Sequence, residues 1–167
     1  YNGIAAVRYP RGFTRGLDLD LNNECLPIGK SKTIIKGSKI AYLVFGTLLN
    51  EVIDAAKLNG ATVIDMRFVK PIDENVITDL CHSHDYIFTV EDNAILGGAG
   101  SAVTEVVNKN NITKNIVNIG VPDNIIPHGN QIEILSDLGL DAKGIIKTTN
   151  DHIKKMGNLK KKVNIKG

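Results

Sequence analysis

Apolar and polar positions alternate along the chain with two different periods, which predict strands and helices in turn. Runs with strand character occupy residues 31–35, 39–45, 62–66, 85–91 and 115–119, after a first run at 4–9 that reaches a proline. Stretches with helical spacing occupy residues 49–58, 74–81, 101–108, 131–138 and 142–156. Strands that alternate with helices are typical of an α/β three-layer sandwich with a mostly parallel sheet.

Two local patterns add detail to this prediction. Lys36, Gly37 and Ser38 separate the runs 31–35 and 39–45, and a short link that contains glycine predicts a hairpin. Asp73 stands directly before a helical stretch, where its side chain is expected to cap the helix.

Pattern and composition divide the chain into four parts. Residues 1–15 hold the first strand, 16–29 have no period and indicate a linker, 30–150 form the α/β domain, and 151–167 are a Lys-rich tail. The tail has a net charge of +5 within a total of +2, so the first 150 residues carry −3. The basic character therefore belongs to the tail.

Composition argues against several classes of protein. Lys160, Lys161 and Lys162 have no aromatic residue nearby, so they indicate a solvated end and no nucleic-acid surface. No apolar stretch reaches the roughly 18 residues that cross a bilayer, so no membrane contact is predicted. Cys25 and Cys81 form no disulfide framework, and no metal site is predicted because no further ligand lies close to Cys81 and the nearby His82 and His84.

Arginine is the rarer cation here, and three of the four arginines fall within the first 15 residues. Arg8 and Arg11 flank Tyr9-Pro10, and Gly12 lets the chain turn away. The planar guanidinium can hold a phosphate at two points, as lysine cannot. The residues alone leave open whether this turn binds a phosphate or carries two surface arginines.

Two further motifs have a chemical and a structural interpretation. The turn 97–101 resembles a phosphate loop, but it lacks the lysine of such loops, which favours close packing. Glu91 and Asp92 follow a strand and could act as acid and base, but without a partner nucleophile capping of the next loop is favoured. His128 is isolated, and no catalytic residue is predicted.

Six phrases of the chain resemble, in order, the end of the 1-deoxy-D-xylulose-5-phosphate synthase family, whose members are transketolase-like enzymes. The phrases are VRYPRG at 7–12, FGTL at 45–48, DMRFVKPID at 65–73, EDNAILGGAGS at 91–101, NIGVPD at 118–123 and DLGLD at 137–141. The resemblance extends from about residue 4 to residue 146, and the phrases at 65–73 and 91–101 are its most specific parts.

This resemblance implies a homodimeric three-domain enzyme that condenses pyruvate with glyceraldehyde 3-phosphate, losing carbon dioxide, on the way to isoprenoid precursors and thiamine. Thiamine diphosphate and Mg2+ are expected in upstream domains absent from this chain. Residues 1–15 would end the middle, pyrimidine-binding domain, and residues 30–150 would be the C-terminal domain, a scaffold that is inactive alone. The implied compartment is the bacterial cytoplasm or a plastid-type organelle, either apicoplast or chloroplast.

The resemblance also implies one substrate contact. Arg11 matches the arginine that is expected to bind the phosphate of the aldehyde substrate, and Arg8 is a neighbour with a less defined role. Two rival hypotheses remain: the C-terminal domain of a pyruvate dehydrogenase beta subunit, and a non-catalytic α/β binding module that uses the turn 97–101.

Overall fold

The computed structural model describes residues 2–7, 9 and 25–164, with side chains in the last helix as far as residue 158. Its elements are, in chain order, β1 (Lys32–Ile35), β2 (Ile40–Phe45), α1 (Leu49–Asn59), β3 (Thr62–Asp65), α2 (Glu74–Ser83), β4 (Tyr86–Ala94), α3 (Ala99–Lys109), β5 (Ile116–Val121), α4 (Gln131–Asp137) and α5 (Ala142–Asn164). The predicted alternation of strands and helices is confirmed.

The strands form one five-stranded sheet in the order β1-β3-β2-β4-β5. Strands β2, β3, β4 and β5 are parallel, and β1 is antiparallel to β3. Every residue of β2 is buried, as the apolar run at 39–45 predicted for a central strand. The predicted mostly parallel sheet is therefore correct.

Helices cover both faces of the sheet. Tyr42 and Val44 of β2 point to one face, where they pack in a core with α1, α5 and Leu135 of α4. Ala41 and Leu43 point to the other face and pack with α2 and α3. Because side chains alternate along a strand, one apolar strand supplies both cores. The result is the predicted three-layer sandwich.

The predicted hairpin between the first two regular strands is wrong. Strand β1 pairs with β3, which lies between β1 and β2. The turn 36–38 crosses the start of β3, where Ser38 N donates to the Gly60 carbonyl at 3.1 Å. A Cβ at Gly37 would collide with the Gly60 carbonyl oxygen, so only glycine fits this crossing.

Three other predictions concern the two ends of the chain and the start of α2. The strand expected over 4–9 does not form among its described residues, which are exposed, Ile4 and Val7 included. Helix α5 ends at Asn164 instead of Met156 and crosses the expected start of the tail without a break. Asp73 stands at the N-cap position of α2, but its side chain does not cap the helix. It accepts hydrogen bonds from Ser31 N and Ser31 Oγ instead, at 3.0 and 3.1 Å.

Within the described part of the chain, no helix has the length and hydrophobicity that a bilayer crossing requires.

Candidate functional site

The loops that follow the four parallel strands leave the same edge of the sheet, which we call the carboxyl edge. In open α/β sheets this edge is the usual place for binding and catalytic groups. The chain places its glycine-rich turn 97–101, its carboxylates Glu91 and Asp92, and the phrase 65–73 there. The carboxyl edge is therefore the candidate functional region.

A bulge in β4 positions the two carboxylates. Between the register pairs Val90–Ile119 and Ala94–Val121, four steps along β4 match two along β5. Such a bulge breaks the alternation of side chains and often lies beside a functional edge. Glu91 is consequently buried, at 2% exposure, while Asp92 is exposed.

Glu91 caps α3 from inside the domain. Its Oε2 accepts a hydrogen bond from Ala99 N at 2.7 Å, and its Oε1 accepts one from Gly100 N at 2.8 Å. The first backbone N–H groups of a helix have no partner in the helix and attract anions. In this domain an internal carboxylate fills that anion position.

The glycine-rich turn is therefore a packing element. A Cβ at Gly98 would collide with the Ala94 carbonyl oxygen and the Glu91 carboxylate, and a Cβ at Gly100 would come within 2.5 Å of Thr89 Oγ1. The interpretation of this turn as close packing is confirmed. A phosphate at the same amides would have to displace Glu91.

Asp92 joins two loops of the carboxyl edge. Its Oδ2 accepts a hydrogen bond from Thr47 Oγ1 at 2.5 Å, which connects the loop after β2 to the bulge of β4. Gly46, at φ +83°, lies beside the same carboxylate. The structural interpretation of Glu91 and Asp92 is confirmed, because each carboxylate holds a neighbouring loop.

Arg67 is held by its own strand. Its backbone has a φ of 58°, its N–H donates to Asp65 Oδ1 at 3.2 Å, and its Nε lies 3.6 Å from Asp65 Oδ2. Residues other than glycine are uncommon in this left-handed conformation. Sequence patterns do not predict this turn, because the hydrogen bonds that hold it do not follow from residue type.

Apolar side chains lie exposed on three loops of the carboxyl edge. They are Val69 after β3, Leu96 after β4 and Ile125 after β5, with exposures of 49%, 70% and 98%. The loops of Leu96 and Ile125 follow the adjacent strands β4 and β5, whereas that of Val69 follows β3, on the other side of β2. Apolar residues exposed along one end of a sheet make that end a candidate contact surface. We call these three residues the edge surface.

The other candidates from the sequence lie apart. Arg8 and Arg11 fall outside the described residues. His128 is exposed in the loop after β5. Cys81 is buried in α2, and the described residues contain no group of three His, Cys, Asp or Glu side chains arranged for a metal ion. With the first amides of α3 already bonded to Glu91, the glycine-rich turn does not fit a diphosphate.

Comparison with known proteins agrees with this geometry. The model of the transketolase C-terminal domain family matches residues 29–145. Over 155 residues the chain is 53% identical to a 1-deoxy-D-xylulose-5-phosphate synthase of Haemophilus influenzae and 48% identical to one of Vibrio campbellii. These matches cover 93% of the chain, which spans a quarter of the length of these relatives.

A solved structure shows the same fold. It is described as a split gene transketolase, inactive beta4 tetramer, and it matches 75% of this chain and 43% of its own with a TM-score of 0.70 and 24% identity. The sequence phrases predicted a resemblance to the synthases, and the identity between this chain and those synthases confirms it. On the match over residues 29–145, the chain belongs to the transketolase C-terminal domain family.

Proposed function

We propose that this chain is the C-terminal part of a 1-deoxy-D-xylulose-5-phosphate synthase. The observation that carries the proposal is the identity of 48–53% with such synthases over 93% of the chain. The full-length enzyme condenses pyruvate with glyceraldehyde 3-phosphate, releases carbon dioxide and supplies isoprenoid precursors. Since these relatives are bacterial, we propose the bacterial cytoplasm as its location, with a plastid-type organelle as the alternative.

Thiamine diphosphate with Mg2+ supplies the carbanion chemistry of this reaction, and we assign both to parts of the protein outside this chain. Two features of the domain support that assignment. The first amides of α3, at the glycine-rich turn, are bonded to Glu91. Its described residues hold no group of metal-ligating side chains.

The role that we propose for the domain is to support the catalytic part and the subunit contacts of a homodimer. The edge surface of Val69, Leu96 and Ile125 offers apolar contacts for that purpose. Glu91 fixes the loop that carries Leu96 through its hydrogen bonds to the first amides of α3, and Asp92 connects the same bulge to Thr47. A surface held in one conformation loses less entropy when it binds.

Arg11 is the one substrate contact that we propose for the chain, with Arg8 beside it. A guanidinium that binds the phosphate of glyceraldehyde 3-phosphate would form a forked pair of charge-assisted hydrogen bonds. Losing one such contact costs about 1.5–3 kcal/mol. In the full-length enzyme, Arg11→Ala should therefore reduce kcat/KM for the aldehyde by roughly 10- to 150-fold.

Arg15→Ala is the matched control, since Arg15 lies close in sequence but outside the VRYPRG phrase. Arg11→Lys keeps the charge and loses the fork, so its activity should fall between those of wild type and Arg11→Ala. Unchanged kinetics of Arg11→Ala would remove Arg11 from the site and leave the family assignment intact.

The function is tested with a chimera in which this sequence replaces the matching quarter of the Haemophilus influenzae synthase. We expect carbon dioxide release from pyruvate that requires both thiamine diphosphate and glyceraldehyde 3-phosphate. A chimera that folds as a dimer but releases no carbon dioxide would contradict the proposal. The unmodified synthase and the 167-residue chain alone are the two controls, and the chain alone should be inactive.

The two rival hypotheses predict different results. For a pyruvate dehydrogenase beta subunit, the full-length protein would need a lipoyl acceptor in place of the aldehyde. For a binding module, the 167 residues would bind phosphate or a nucleotide saturably. The variant Gly98→Val does not distinguish a binding module from a scaffold, because a side chain at Gly98 collides with the Glu91 carboxylate whether or not a ligand binds. A titration of the unmodified chain is the better test.

A further inference from the structure

A chain of four hydrogen bonds passes through His84 at the end of the sheet where the parallel strands begin, opposite the carboxyl edge. Gly37 N donates to Thr62 Oγ1 at 3.0 Å, and Thr62 Oγ1 lies 2.7 Å from His84 Nε2. On the other side of the ring, His84 Nδ1 lies 2.9 Å from Ser83 Oγ, which donates to the Asp79 carbonyl at 2.7 Å. This hydrogen-bond chain connects three parts of the domain, namely the turn between β1 and β2, strand β3 and the end of α2.

The donors along this chain can be assigned because each hydroxyl has one hydrogen. Ser83 gives its hydrogen to the Asp79 carbonyl, so Ser83 Oγ must accept one from His84 Nδ1. A neutral imidazole carries a single N–H, so Nε2 is an acceptor and Thr62 donates to it. Thr62 Oγ1 is then free to accept from Gly37. With His84 neutral and its hydrogen on Nδ1, every hydroxyl hydrogen and N–H of this hydrogen-bond chain therefore has an acceptor.

Protonation of His84 removes one partner from this arrangement. A hydrogen on Nε2 would make the ring a donor to Thr62 Oγ1, so the Thr62 hydroxyl hydrogen would have to rotate away and lose its acceptor. Thr62 is only 5% exposed, so water has little access to replace the lost partner. The turn that depends on Thr62 lies tightly against the start of β3, where Gly37 leaves no room for a Cβ beside the Gly60 carbonyl.

The charged groups around His84 shift its pKa in opposite directions. Lys114 Nζ donates to the His84 carbonyl at 2.6 Å, and Asp85 is next in sequence. Burial lowers the pKa of His84, Lys114 lowers it further, and Asp85 raises it. The titratable groups facing or flanking His84 are Asp79, Cys81 and His82 on α2, Asp85 before β4, Lys36 and Lys39 beside β2, and Lys114 before β5.

We propose that this hydrogen-bond chain makes the attachment of the β1–β2 turn to the sheet depend on pH, so that the turn opens more often once His84 is protonated. The proposal concerns the domain itself and holds whichever reaction the full-length protein catalyses. Among the residues that the structure describes, the antiparallel β1 is an edge strand of the sheet and pairs only with β3, so it is the element released when the turn opens.

The sign of the pH effect follows from the lowered pKa of His84. An unfolded histidine titrates near pH 6.5. Below about that pH the unfolded or opened chain binds more protons than the closed one, so stability falls as the pH falls. The stabilisation is complete above the unfolded pKa and is lost as the pH drops through the folded pKa. The pH range over which this stabilisation is lost therefore begins near pH 6.5 and extends to lower pH.

Amide hydrogen exchange of residues 36–40 tests the proposal in the full-length protein, after correction for the intrinsic pH dependence of exchange. Between about pH 7.5 and about pH 5.5, exchange in the wild type should become roughly 2- to 10-fold faster, the equivalent of one hydrogen bond. His84→Gln keeps an acceptor that does not titrate in this range, so it should show no such increase. His82→Gln is the matched control, because His82 is exposed on the same helix, and it should behave like the wild type.

An equal increase in wild type and His84→Gln would overturn the proposal. A second measurement holds even if His84→Gln folds poorly. Nitrogen NMR of 15N-histidine protein should show His84 at neutral pH with its hydrogen on Nδ1. Finding the hydrogen on Nε2 would contradict the direction of the hydrogen-bond chain and with it the proposed pH dependence.

Discussion

The Glu91 carboxylate lies against the α-carbon of Gly98, where an added Cβ would come within 2.6 Å of Oε1 and 2.5 Å of Oε2. This contact brings the bulge of β4 onto the first turn of α3 and lets one carboxylate accept two helix amides. The glycine and the acid thus depend on each other: the small residue admits the carboxylate, and the carboxylate caps the helix.

Replacing Glu91 should cost much of the stability of the domain. Glu91→Ala leaves the amides of Ala99 and Gly100 without partners in a buried place, so we expect a loss of about 2–4 kcal/mol in the free energy of unfolding. Glu91→Gln keeps one acceptor oxygen and should lose about half as much. Urea denaturation measures both. Glu105→Ala, at an exposed position of the same helix, should stay within about 0.5 kcal/mol of the wild type.

Two glycines should respond to alanine with opposite signs. Gly98→Ala forces a Cβ into the Ala94 carbonyl and the Glu91 carboxylate, which should destabilise the domain by about 1–3 kcal/mol. Gly157 lies in α5 with no atom within 4 Å of a new Cβ, so Gly157→Ala should stabilise it by about 0.5–1 kcal/mol. The difference in thermal midpoint between the two variants measures this contrast. A harmless Gly98→Ala would show that the contact is not tight in solution.

The hydroxyl of the buried Tyr42 should contribute to the stability of the domain. Asn59 Nδ2 donates to Tyr42 Oη at 2.8 Å, and Tyr42 Oη lies 2.7 Å from Thr149 Oγ1, which donates to the Ile145 carbonyl. Thr149 has no second hydrogen, so Tyr42 donates to it. Tyr42→Phe should therefore cost about 1–2 kcal/mol of stability.

The partner of this tyrosine can be tested by a double-mutant cycle. Thr149→Val removes the acceptor, and the two changes together should cost less than their sum by about 0.5–1 kcal/mol, because they break the same bond. Tyr86→Phe, at a half-buried position at the start of β4, is the control for losing a tyrosine hydroxyl. Strict additivity of Tyr42→Phe and Thr149→Val would argue against a bond between α5 and the sheet at this point.

The two cysteines should differ in reactivity. Cys81 is 3% exposed, and burial raises the pKa of its thiol, although Lys114 partly opposes this. A raised pKa leaves less thiolate near neutral pH, and the thiolate is the species that reacts. Iodoacetamide should modify the exposed Cys25 faster than Cys81 by roughly an order of magnitude or more. Peptide mass spectrometry measures the difference, which should vanish in denaturant.

The sequence by itself determined the local structure of this protein. The periods of its apolar residues predicted every helix and every regular strand of the sheet, because burial on one helix face or on both strand faces imposes those spacings. It also predicted that the glycine-rich turn 97–101 serves packing and that Glu91 and Asp92 cap a loop. These features depend on residues close in sequence, or on the absence of a lysine that phosphate loops carry.

Only the tertiary structure decided which strands pair and which partners the polar side chains find. A short glycine-containing link predicted a hairpin, yet β3 lies between β1 and β2. Asp73 had the position of a helix cap, yet it binds Ser31, 42 residues away. The identity of the two amides that Glu91 binds, and the partners of His84, were equally hidden. The pairing of β1 with β3 and that of Asp73 with Ser31 bring together residues far apart in sequence, and local periodicity carries no information about them.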